Sequence, residues 1–119
     1  MVEEVVAVKD KIRVDEKDLS TSEADFWSEN VPSKVTRYIV AFLVSGDGTN
    51  DARVTISRKK GATTTKKYVV SVSATGTEPV PRCWSRETPI MVLFGGENLS
   101  VVASAGTPSL SVVYYDDEL

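Results

Sequence analysis

The chain has 119 residues, 41% of them hydrophobic and 26% charged, with a net charge of −3, no histidine and one cysteine. That length fits one domain burying roughly two-thirds of its unfolded surface in a single core, and the mild negative charge argues against a nucleic-acid footprint across the surface. Without histidine the usual acid–base and transition-metal side chain is missing, and a lone Cys83 excludes an intrachain disulfide or a paired-cysteine zinc site, so packing must hold the fold.

Residues 1–33 are rich in charge and lack sustained alternation. The opening MVEEVVAVK places acids where an export signal would be basic and has no apolar core, so Sec export is not expected. No apolar run approaches the length of a membrane-spanning helix. Val6, Val8, Ile12 and Val14 share one parity and predict a strand over residues 5–14, with Asp10 midway on the same face as a contrary signal. Ser20 and Glu23 have capping-box spacing ahead of Phe26, Trp27 and Pro32. Two forms are open there: a short helical turn, or an extended loop that docks Phe26 and Trp27.

From Lys34 the period becomes two. Tyr38, Val40, Phe42 and Val44 fall on one face, and Ile39, Ala41 and Leu43 make the other apolar as well. Such a strand sits centrally in a sheet or turns its second face to a partner subunit. The reversal at 45–51 (SGDGTND) is followed by Val54 and Ile56 alternating with Thr55 and Ser57. A basic turn around Gly61 leads into Tyr68, Val70, Val72 and Ala74, so a hairpin is expected whose lysines and hydroxyls guard an edge. Pro79 and Pro81 mark residues 75–88 as a loop or an edge. Three strands then close the chain at 89–94, 99–104 and 110–115, separated by turns at 95–98 and 105–108 and followed by the acidic tail Asp116, Asp117 and Glu118. The predicted fold is all-β: an antiparallel, jelly-roll-like β-sandwich of seven or eight strands. Residues 34–119 form the sandwich domain, and residues 1–33 form an N-terminal arm or a first strand plus loop.

Residues with chemical potential are few. Asp47, Asn50 and Asp51 offer oxygens to a calcium ion, but they lack the remaining ligands of such a loop and suit a plain turn. Arg53, Arg58, Lys59, Lys60, Lys66 and Lys67 form a basic rib with thin aromatic interleaving, which reads as a solvated edge rather than a nucleic-acid platform. Trp27, Trp84, Tyr114 and Tyr115 could stack on sugar rings, although packing is the commoner use of such side chains. Cys83 lies between Arg82 and Trp84 with no histidine to serve as its base, and Glu78, Glu87 and Glu97 show no spacing that pairs two carboxylates.

The order of features from Arg37 onward resembles a known group. A strand YIVAFLVS at 38–45, a glycine-rich reversal, RVTIS at 53–57 and a proline-containing loop lead to PIMVLFGGENLSVVAS at 89–104 and LSVVYY at 110–115. About two-thirds of the chain is thus similar to the small jelly-roll proteins of tailed-phage virions: head decoration (cement) proteins, capsid fibres and related tail or neck parts. The resemblance implies a non-enzymatic structural protein of the virion, made in the host cytoplasm. It implies a trimer contacting the major capsid protein or another virion protein, with no cofactor, metal or catalytic residue.

On this reading Val6, Val8, Ile12, Val14, Phe26 and Trp27 are the candidate partner-binding residues, and Ile39, Ala41 and Leu43 the candidate subunit interface. The alternative is a carbohydrate- or receptor-binding module of a fibre or tail. A cupin-type enzyme is the third class, and the absence of histidine opposes it.

Overall fold

A computed structural model describes residues 11–85 and 87–118, without the side chain of Lys66. The described strands are β1 (Arg13–Asp18), β2 (Ala24–Asp25), β3 (Val35–Ser45), β4 (Ala52–Lys60), β5 (Thr63–Val72), β6 (Thr77–Val80), β7 (Met91–Leu93), β8 (Glu97–Ala103) and β9 (Ser109–Glu118). They form two antiparallel sheets, one ordered β1-β9-β3-β6 with β7 also on β3, the other β2-β8-β4-β5. β6 pairs with residues 42–45 of β3 and β7 with residues 37–39, so the two behave as one strand interrupted by a loop. Counted so, the eight described strands form two four-stranded sheets, and the chain changes sheet at every connection but the β4–β5 hairpin, as in the double Greek key of a jelly roll.

Side chains from both sheets fill the space between them. Ile39, Phe42, Val44, Leu110, Val112 and Tyr114 from the first sheet meet Val54, Ile56, Val70, Leu99 and Val101 from the second. Of the two forms open for residues 20–33, the structure takes the extended one: bends and the short β2 lead into Phe26, which is buried in the core, and Trp27, which packs against it. The Ser20 hydroxyl bonds locally to Ser22, and the Glu23 carboxylate accepts from Ser100 Oγ at 2.6 Å, so the capping box never closes. Residues 13–33 thus make a first strand plus loop inside the sandwich, since β1 pairs with β9 and β2 with β8. Val6 and Val8 lie outside the described residues.

One local irregularity corrects the expected faces of β3. Ile39 pairs with Tyr114 and Ala41 with Val113, so Val40 is an extra residue with no opposite number. This β-bulge reverses parity along the strand. Ile39 therefore joins Phe42 and Val44 in the core, while Tyr38, Ala41 and Leu43 lie on the outer face. Ile39 has no exposed surface, Ala41 is buried and Leu43 remains 38% exposed. Of the three residues expected at a subunit interface, Ile39 is a core residue because of that single inserted valine.

The acidic tail is also part of the sheet. Asp116, Asp117 and Glu118 continue β9 opposite Arg37, Thr36 and Val35. The β4–β5 hairpin turns at Gly61 with φ of 62°, which a two-residue hairpin loop demands of its first residue.

Candidate functional site

Residues directly opposite one another in an antiparallel sheet share a face, so the register of the first sheet defines its outer surface. Val14, Val113 and Ala41 form one row across β1, β9 and β3. Tyr115, Tyr38 and Val92 form the next row across β9, β3 and β7, the two tyrosine rings stacked with centroids 5.1 Å apart and planes 18° from parallel. On the other side of the first row, Leu43 stands between Ser111 and Pro79. Val14 is 61% exposed, and Ile12, just ahead of β1, is exposed as well. These rows make an apolar patch on the side of the sheet away from the core, bordered by Glu16 and Asp117. It presents dispersion contacts and two phenol rings.

Beneath it, a polar cluster pins the loop after β2 to the sheet. The Trp27 indole N–H and the Tyr114 hydroxyl both donate to Asp15 Oδ2, at 2.8 and 2.7 Å. The Arg37 guanidinium lies 4.5 Å from the Trp27 ring centroid and 4.6 Å from that of Tyr114, and donates twice to Asp116, at 2.8 and 3.0 Å. Burial first, and the Asp15 hydrogen bond second, push the Tyr114 hydroxyl up to about 12. Phe26 and Trp27 meet edge to face at 4.9 Å. The structure thus places Phe26 in the core of its own subunit and Trp27, half-buried, against it.

Sequence reasoning missed a second cluster. Glu97 and Asn98, expected in a turn, open β8 and are buried. Glu97 accepts from Arg58 Nη2 at 2.8 Å and from the Phe94 N–H at 2.8 Å. Burial raises its carboxyl pKa, but the Arg58 and Phe94 bonds outweigh this and hold it below the ordinary value. The Asn98 amide donates to the Trp27 carbonyl and to Asn30 Oδ1, while its oxygen accepts from the Trp27 and Leu99 N–H groups. The available signal was an acid and an amide placed directly against an apolar run, which demands buried partners.

The remaining candidates separate. Asp47 accepts three backbone N–H bonds, from Thr49, Asn50 and Thr107, which lower its pKa and tie the carboxylate into the turn. Its Oδ2 also fills the space a Cβ would take at Gly106, whose φ is 65°. Asp51 accepts from the Ala74 N–H. Among the described residues no group of three or more potential ligands gathers for a metal. The basic rib is part-neutralised, with Arg58 on Glu97 and Lys59 on Asp25 at 2.7 Å, while Arg53, Lys60 and Lys67 are exposed. Cys83 is exposed, and Trp84 is 47% exposed.

No protein-family model matches the chain, and no curated protein does. A solved structure of Bacillus endospore appendages, described as a novel family of disulfide-linked pili, is similar in fold. The TM-score is 0.53 at 12% identity, over 92% of this chain and 86% of that one. The likeness is one of fold.

Proposed function

We propose that this chain is a non-enzymatic structural subunit that oligomerises through the outer face of its first sheet and builds into a larger protein assembly. The assembly we propose is a tailed-phage virion, in which a ring of copies, a trimer by preference, decorates or cements the capsid against the major capsid protein or another virion protein. The apolar rows Val14–Val113–Ala41 and Tyr115–Tyr38–Val92 carry the reading. Val14 and Leu43 are exposed, and Val113, Tyr38, Tyr115 and Val92 are half-buried around the buried Ala41; apolar side chains gathered on one outer face suit an interaction site.

The fold shared with a pilus protein supports a role in assembly. The Bacillus pili are disulfide-linked, whereas one cysteine per chain can bridge two copies but no continuous series, so the contacts proposed here are noncovalent. Mass spectrometry and a density map of purified source particles test the assignment. Stoichiometric copies at fixed positions on the shell are expected, and absence from the particles would refute it. A carbohydrate- or receptor-binding role is the second reading, favoured by the exposed indole of Trp84; glycan quenching of its fluorescence would support it.

A further inference from the structure

A cleft of about 310 Å³ opens where β5 and β7, each at the edge of its sheet, approach one another. Arg58, Lys67, Tyr68, Ile90, Val92 and Phe94 contribute to its lining. The Tyr68 hydroxyl donates to the Ile90 carbonyl at 3.1 Å, and the Phe94 ring, 52% exposed, stands 5.7 Å from the Arg58 guanidinium. A second recess, of about 530 Å³, shares Arg58 and Lys67 with the first and adds Lys60, Thr63 and Thr65. The register explains it. Past Ile56 the core-facing side of β4 carries Arg58 and Lys60, opposite Thr65 and Thr63 of β5. Lys60, Thr63 and Thr65 are exposed, so the hairpin here reaches beyond the cover of the first sheet. Arg58 is bonded to Glu97, while Lys60 and Lys67 keep the site positive around an exposed ring.

The outer face of the first sheet has the opposite charge. Glu16 and Asp18 follow Val14 along the same side of β1 and are exposed, and Asp117 lies beyond Tyr115 on β9. Among the described residues, the paired rows of that face hold no lysine or arginine. Set against itself, the face would confront one acidic border with another, which costs association. A face that meets itself also closes as a pair, whereas a ring of three needs two different surfaces. We propose that the outer face of one copy seats on the cleft and hairpin end of a second copy, with Phe94 against the apolar rows and Glu16 and Asp18 facing Lys60 and Lys67. Both surfaces are apolar, and their charges are complementary. Val92 belongs to both, since it ends the outer row on β7 and lines the cleft. The two surfaces therefore adjoin around the β7 edge instead of lying back to back. Adjoining surfaces turn each copy sharply from the last and close a small ring, where back-to-back surfaces would stack an open filament. This inference rests on the structural-subunit reading and names the surface that receives the outer face.

Sedimentation velocity on the full chain tests it with wild type, Glu16→Lys/Asp18→Lys, Lys60→Glu/Lys67→Glu, and the chain carrying all four substitutions. Circular dichroism checks that each keeps the β fold, and Phe94→Ser probes the same cleft without changing a charge. Each charge-reversed pair alone should self-associate about tenfold or more weakly than wild type, because it sets like charges across the contact. Phe94→Ser should weaken association as well. The fourfold variant should regain wild-type association, since a basic face then meets an acidic cleft at every contact. Lys60→Glu/Lys67→Glu and Phe94→Ser proteins that associate as tightly as an oligomeric wild type would overturn the cleft proposal and leave the subunit reading standing. A fourfold variant no tighter than its parent pairs would do the same. A monomeric wild type would overturn both.

Discussion

Asp116→Asn is the sharpest test of the packing that makes residues 13–33 part of the sandwich. Arg37 and Asp116 are joined by two hydrogen bonds, and their side chains are only 10% and 9% exposed. Removing the carboxylate charge leaves the guanidinium buried against the rings of Trp27 and Tyr114. Breaking a buried pair by losing one partner costs about 3–5 kcal/mol. The two rings still attract the cation, so the lower end, about 3 kcal/mol, is expected. At a urea slope of about 2 kcal/mol/M, the unfolding midpoint should fall by roughly 1.5 M. Urea titration at pH 7 measures this, with tryptophan fluorescence as the probe because Trp27 sits on Arg37. The double replacement Arg37→Met/Asp116→Leu, which buries no orphan charge, should recover most of the loss. A midpoint shift below about 0.3 M for Asp116→Asn would refute the reasoning, because it would mean that water already screens the pair.

Three further outcomes are expected. In an alkaline absorbance titration, one tyrosine should ionise late, near pH 12, and that late step should vanish in Tyr114→Phe. Because the raised pKa favours the neutral folded form, its stabilising contribution is complete below about pH 10 and lost as the pH rises through the folded value. Glu97 has the opposite sign: its lowered pKa contributes stability above the unfolded value of about 4.3, lost as the pH falls through the folded one, and Glu97→Gln should flatten that part of the acid limb of a stability–pH curve. Cys83→Ser should leave assembly unchanged, and assays for hydrolase, transferase and redox turnover should find none; turnover that disappears in a normally folded Cys83→Ser protein would contradict the structural reading.

What could be read from the sequence was what depends on neighbours along the chain. The alternation of Val70 and Val72 with Ser71, the glycine turns and the proline-marked edge at Pro79 each report local geometry, and the strands stand where those signals put them. The bulge at Val40 left no trace, because VAF is apolar at every position and a parity change within it alters no pattern. Asn98 meets Asn30 across 68 positions, and Glu97 meets Arg58 across 39, so their burial was invisible to any local reading. Trp27 looked available for a partner for the same reason: the Asp15 carboxylate that holds it belongs to β1, and Tyr114, which shares that carboxylate, to the far end of the chain. The outer face was legible in kind, as a second apolar side of the strand at 38–44, but its membership needed the register.

The measurement that tests the central claim most directly is the solution mass of the full chain by light scattering at micromolar concentration, wild type beside Val14→Asp/Leu43→Asp. Both positions are exposed on the outer face, so the substitutions leave the core untouched. The account predicts a small discrete oligomer for wild type, a trimer above all, and a shift to monomer in the variant as two charges enter the apolar contact. A wild-type protein that stays monomeric, or an oligomer indifferent to both aspartates, would contradict assembly through this face.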